Sequence, residues 1–323
     1  MSLKKKTIKL DDHIEIQKDR PIPDNAWELL DASEKDNSFI AVEASTFLQD
    51  AWKRFRKNRM ALIGASFLAA FSLVIIIGPI VSQYTYDAID LYAINQPPSV
   101  RHWFGTDSLG RDLFVRVLYG GRISLTVGVV SAFINLVIGS LYGGISGYIG
   151  GRVDQVMMRV VDILYSIPTL LYVLLITMVW GSSIVTVIAA IALSSWAGMA
   201  RTVRAQVLSL KEQEFVLAEK ALGAKRSRIL IHHLLVNSIG PIIVTTTLNV
   251  PSAIFTEAFL SFVGCGIAIP KASWGTLSNE ALRTVMNYPY QMVFPVLAIA
   301  LTMFSLNFIG DGFNDAFDPR REK

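Results

Sequence analysis

The sequence predicts an all-α integral membrane protein with about six transmembrane helices and both termini on the cytoplasmic side. Three observations predict it. Of the 323 residues, 52% are hydrophobic and only 17% are charged, against about 25% charged in an ordinary soluble domain. Mean hydropathy is +0.44. The missing charge is absent from long blocks, and basic residues gather at alternate ends of those blocks, as the positive-inside rule requires.

A bilayer core of ~30 Å demands roughly 20 mainly apolar residues per helix. Residues 60–84, 123–148, 163–180, 184–200, 237–256 and 291–310 answer that demand, two of them short of the ideal length. Lys53, Arg54, Arg56, Lys57 and Arg59 precede the first block and predict a cytoplasmic N-terminus. Alternation then puts Arg152, Arg159, the segment 201–228 and the ending Arg320, Arg321 and Lys323 inside. Arg101, Arg111, Arg116, Arg122, Lys271 and Arg283 fall outside. The net charge of +4 reflects this asymmetry and says nothing about nucleic acid; the expected partner is the lipid bilayer, with no nucleic acid.

Residues 1–50 read as a polar cytoplasmic tail without an apolar h-region, interrupted by Pro21 and Pro23 and loosely structured. Residues 40–59 predict an amphipathic helix at the inner interface, with Phe47, Leu48, Trp52 and Phe55 on its apolar side. The membrane-spanning body covers 51–320, with outside loops at 85–121 and 263–290 and a cytoplasmic loop at 206–236. Cys265 stands alone, so neither an intrachain disulfide nor a cysteine metal site is predicted.

Several function classes are excluded by what the chain lacks. There is no Gly-Lys dipeptide, hence no phosphate-binding G-x-x-x-x-G-K-[ST] loop. His232 and His233 are adjacent, so on a helix they point about 100° apart and share no ligand face. Neither G-x-S-x-G nor H-E-x-x-H occurs. The chain is therefore expected to be non-catalytic and to bind no cofactor. The centres of the spans carry no ionisable side chain of the kind that ion-coupled transporters keep as relays.

Between the fourth and fifth spans, Leu210, Phe215, Ala218, Ala221 and Leu222 recur at helical spacing, with Lys211, Glu212, Glu214 and Lys220 between them. Gly223 breaks the pattern, and a second helical segment follows over 225–236. Gly takes φ > 0 cheaply and suits an elbow between two short helices. The pair reads either as a handle for a cytoplasmic partner or as a loop held down by lipid headgroups; composition leaves both open.

The stretch Glu214-Phe-Val-Leu-Ala-Glu-Lys-Ala-Leu-Gly-Ala224, with His233-Leu-Leu-Val-Asn237 and Gly240-Pro241, resembles the EAA loop of ABC-importer permeases. The resemblance runs over 51–320. His102-Trp-Phe-Gly-Thr-Asp-Ser-Leu-Gly-Arg-Asp112, Ser166-Ile-Pro168, Glu257-Ala-Phe-Leu-Ser-Phe-Val-Gly264, Ser273-Trp-Gly275 and Asp318-Pro-Arg320 are similar to motifs of the oligopeptide, dipeptide and nickel permeases, and the N-terminal extension points to their "C"-type subunit. The resemblance implies a type I importer permease fold and ATP-driven import of oligopeptides or dipeptides by alternating access. It implies a "B"-type permease partner, two ATP-binding subunits that hold ATP and magnesium, and an extracellular peptide-binding protein. Phe215, Leu217, Ala218, Glu219, Leu222, Gly223 and Ala224 would then form the coupling surface for the ATPase. The sequence departs from the family's pattern at Leu217, where an acid is usual, at Glu219, where a small residue is usual, and at Val236, where proline is usual.

Two further sets are weighed on residue chemistry. Thr246, Asn249, Ser252 and Glu257 make the fifth span unusually polar and either line a water-filled route or bond neighbouring helices. Asp107, Arg111 and Trp274 either dock the binding protein or stabilise the outside loops and the membrane interface. Pro168 and Pro251 predict kinks. An ion-coupled secondary transporter, or the same importer class with nickel as cargo, is the competing reading.

Overall fold

The computed structural model describes residues 8–10, 14–16, 46–268 and 270–317, in two units divided after Thr46. In the first, β1 (Ile8–Leu10) and β2 (Ile14–Ile16) pair antiparallel with Ile8 opposite Ile16. Ile-Lys-Leu and Ile-Glu-Ile alternate apolar and charged residues, the period of a strand. The expected loose tail thus contains a short hairpin, and the rest of that expectation falls outside the described residues. So does the ending Asp318-Pro-Arg320 with Arg321 and Lys323.

In the second unit the described regular elements are helices, apart from one isolated bridge between Thr106 and Asp112. The helices are α1 (Phe47–Phe55), α2 (Arg59–Val81), α3 (Leu113–Ile149), α4 (Gly151–Ser166), α5 (Thr169–Trp180) and α6 (Ile184–Leu210). They continue with α7 (Glu214–Ala221), α8 (Arg226–Arg228), a π-helix (Ile229–Leu235), α9 (Ile239–Phe262), α10 (Trp274–Ala281) and α11 (Tyr290–Phe317). The predicted amphipathic helix is shorter than 40–59. Its Ala51 and Phe55 are buried against Phe313 and Ala316 of α11, while Leu48 and Trp52 remain exposed.

Among the described residues five helices, α2, α3, α6, α9 and α11, are long and apolar enough to cross a bilayer. The third expected span, 163–180, is not a continuous helix. It belongs to the pair α4 and α5, bent by 83°. Pro168 sits at the break, and Ile167 before it is extended, with φ −91° and ψ 125°, because the proline ring crowds a helical residue at that position. With 12 residues, α5 alone reaches ~18 Å.

The second span starts ten residues before the predicted 123, because Asp112 caps α3 by accepting from Val115 N at 2.9 Å. Arg116 and Arg122, expected in a loop, are therefore helical. α3 carries Gly139, Gly143 and Gly147 at four-residue spacing on the face toward α6. A methyl group there would overlap the Met199 side chain, the Ala200 carbonyl and the Arg204 carbonyl in turn. Small residues at this spacing let helix backbones approach closely in a membrane. The partners advance together along both chains, so α3 and α6 run parallel. The bent α4–α5 pair therefore returns the chain to the side where α3 began.

Candidate functional site

The segment after α6 forms the two short helical stretches about an elbow that the spacing predicted. α7 carries one fully buried residue, Val216, which packs with Val203, Val207, Ile229 and Leu234. Phe215, Leu217, Ala218 and Leu222 are exposed, Leu222 by 84%. Four coupling candidates thus project outward from an element pinned by a single apolar anchor. Gly223 has φ +78°, and its N–H donates to Lys220 O at 3.1 Å while Ala224 N–H donates to Glu219 O at 3.0 Å. These bonds close the helix C-terminus. The second helix of the handle differs from expectation. After the three residues of α8 it is a π-helix, a widened turn frequent at functional sites. His233 Nε2 lies 3.5 Å from Glu219 Oε1 across the elbow, so the unusual acid at position 219 faces the second helix. Glu219, Leu222 to Lys225, Ser227, Arg228 and Ile231 to His233 line a groove of about 940 Å³.

On the opposite side, the predicted docking residues are inside. Trp274 is 0% exposed, and its indole Nε1 donates to Val117 O at 2.9 Å. Arg111 Nε donates to Asp107 Oδ2 at 2.7 Å, and Arg111 Nη2 to Glu280 Oε2 at 2.7 Å. Arg116 donates to Asp107 and also, at 2.7 Å, to Glu280 Oε2. Two guanidinium groups and two carboxylates form a closed ring that ties the loop before α3, α3 itself and α10 together. Asp107, Arg111 and Trp274 are therefore buried and bonded within the packing of α3, α10 and the loop before α3, and none of them projects from the surface. Asp112, a natural partner for the arginines by sequence, instead meets His102 Nδ1 at 2.8 Å. Glu280 was missed, since its partner Arg116 is 164 positions away and no local spacing signals it.

The four candidates on α9 do not share one environment. Thr246 donates to Ile242 O of its own helix at 2.7 Å and borders an apolar groove with Val137, Leu141 and Ile243. Asn249 Nδ2 is buried without a partner among the described residues, and Ser252 is exposed. Glu257 is 0% exposed and accepts from Ser124 Oγ of α3 and Ser261 Oγ of α9, both at 2.8 Å. Ser124 Oγ in turn accepts from Trp274 N at 3.3 Å. Glu257 thus seats α10 on α3 and α9, and only Ser252 among the four faces outward.

A family model described as "Binding-protein-dependent transport system inner membrane component" matches residues 136–323. A second, "N-terminal TM domain of oligopeptide transport permease C", matches 46–98. The oligopeptide transport system permease protein OppC of Bacillus subtilis is 46% identical over 94% of this chain and 99% of its own. The dipeptide transport system permease protein DppC of the same organism is 45% identical over 93% of this chain and 94% of its own. OppC of Escherichia coli is 43% identical over 87% and 94%. Among solved structures, a chain of the inward-facing MetNI methionine ABC transporter superposes with a TM-score of 0.53 at 19% identity, covering 64% of this chain and 98% of that one, a likeness of fold. Matched over more than half its length, with relatives above 40% identity along nearly all of it, the chain belongs to the family of binding-protein-dependent transport system inner membrane components, as an ABC transporter permease.

Proposed function

We propose that this permease is the "C"-type channel-forming subunit of an ATP-driven importer of oligopeptides or dipeptides. The observation that carries the reading is the handle itself: two short helical segments about a left-handed glycine, with apolar side chains projecting and nothing among the described residues to cover them. The relatives named for oligopeptide and dipeptide transport support the cargo. In this reading a "B"-type permease completes the pore and two ATP-binding subunits hold ATP and magnesium. An extracellular binding protein delivers the peptide. Closure of the ATPases on ATP pulls the handles together and opens the pore outward; hydrolysis resets it. A conformational preference is all that ATP has to supply, since the permease alters no covalent bond. Both termini lie in the cytoplasm of a cell whose plasma membrane holds the complex.

The test is reconstitution of the tagged chain with its co-purifying subunits in liposomes carrying the binding protein. Peptide uptake is expected to require ATP and to survive dissipation of ion gradients by ionophores. Uptake that ignores ATP and collapses with the gradient would establish a secondary transporter instead.

A further inference from the structure

The groove at the elbow has a charge that the coupling reading leaves unused. Lys225 and Arg228 are exposed on its rim and make no ion pair or hydrogen bond among the described residues. His232 and His233 stand on the same wall. The one acid of the groove, Glu219, already faces His233 at 3.5 Å. At the tip, Leu222 is 84% exposed, and a side chain built on Gly223 would meet nothing within 4 Å. The site is thus a concave basic wall beside an apolar knob, with open space in front.

We propose that this groove receives a carboxylate-bearing segment of the ATP-binding partner, with Lys225 and Arg228 as the cationic wall and Leu222 entering an apolar socket. The proposal rests on the coupling function above and adds the polarity of the contact. Leu217, exposed on the neighbouring turn, adds apolar surface and no charge. The uncompensated charge of the groove is therefore positive, which calls for negative charge on the partner. Charge complementarity of this kind sets register and partner choice.

Anionic lipid headgroups offer the same charge, but the geometry argues against them. α6 runs 27 residues, or ~40 Å, and so carries the chain ~10 Å past a hydrocarbon core of ~30 Å before α7 begins. A groove of about 940 Å³ beside a projecting leucine fits a shaped protein surface better than a flat headgroup layer.

The test is zero-length carbodiimide coupling in the assembled complex, which joins an amine only to a carboxylate in contact with it. A mapped amide bond between Lys225 and an Asp or Glu of the ATP-binding subunit is expected, and Lys225→Arg should abolish it, because a guanidinium does not couple. In a second measurement, K225E/R228E is expected to lower peptide uptake at least tenfold in liposomes of phosphatidylcholine and equally in those containing phosphatidylglycerol. A complex that stays intact but yields no Lys225 adduct, while other amines at the subunit contact react, overturns the proposal and leaves the coupling function standing. A defect confined to phosphatidylglycerol liposomes overturns it in favour of lipid. Failure of the wild-type chain to co-purify with any ATP-binding subunit overturns both readings.

Discussion

Two residues show how local chemistry is settled across helices. Pro79 lies inside α2 and has no N–H, so the carbonyl of Ile75 loses its partner four residues on. Arg122 of α3 supplies the missing donor: its Nε reaches Ile75 O at 3.0 Å, and its guanidinium also meets Ile76 O. Arg122→Leu should leave the carbonyl orphaned and cost about 1–3 kcal/mol. In a Pro79→Ala background, where the helix provides its own N–H, the same change should cost less. Thermal unfolding of the four variants in detergent checks this, and equal losses in both backgrounds would disprove the pairing. Gly223 is the second case. Valine at φ +78° carries strain of ~1–3 kcal/mol, so Gly223→Val should splay the handle. Peptide-stimulated ATP hydrolysis should fall while the chain still inserts, because insertion depends on apolar length. The elbow was legible in sequence because only Gly fits there cheaply. The Arg122–Ile75 bond was not, because the arginine answers a proline 43 positions away that read as one more residue of an apolar block.

At the scale of elements, the contact of α10 with the start of α3 is held by charge, and that of α3 with α6 by small residues. Removing Arg116 would leave Asp107 and Glu280 facing one another with Arg111 alone between them. Breaking a buried ion network by deleting one partner costs about 3–5 kcal/mol. Arg116→Ala should therefore lower the midpoint of thermal unfolding clearly, whereas Lys271→Ala, on the exposed loop before α10, should leave it unchanged. A wild-type midpoint for Arg116→Ala would show that the ring contributes nothing. Apolar length made the spans readable, but helix ends were set by features outside the apolar pattern: the Asp112 cap lengthened α3, and Pro168 split the third span. The π-helix at Ile229–Leu235 has the same apolar spacing as an ordinary helix over so short a stretch, and nothing in its composition sets it apart. The candidate site fared likewise. The handle was visible as a local pattern. The burial of Asp107, Arg111, Trp274 and Glu257 depends on segments that meet only in three dimensions.

For the whole molecule, the parallel course of α3 and α6 makes a prediction about sidedness. Cysteines at Ser99 and Ser182 should react with an impermeant reagent from one face of the membrane, and a cysteine at Ser227 only from the other. All three positions are exposed, so access depends on the bilayer alone, and labelling of Ser182→Cys from the same face as Ser227→Cys would refute six crossings. The length of α3 has a mechanical consequence. Its 37 residues make a rod of ~55 Å, with Arg116 of the outer ring near one end and the glycine contacts to α6 near the other. α6 leads within four residues into α7. The rod is thus a lever whose short arm is gripped beside the handle and whose far end holds the cap. Swung by ~10° about the glycine contacts, ~45 Å from its first residue, it would carry that far end through ~8 Å, by simple trigonometry on the same helical rise. Under the proposed function, a small push at the handle would become a wide sweep at the other end of α3.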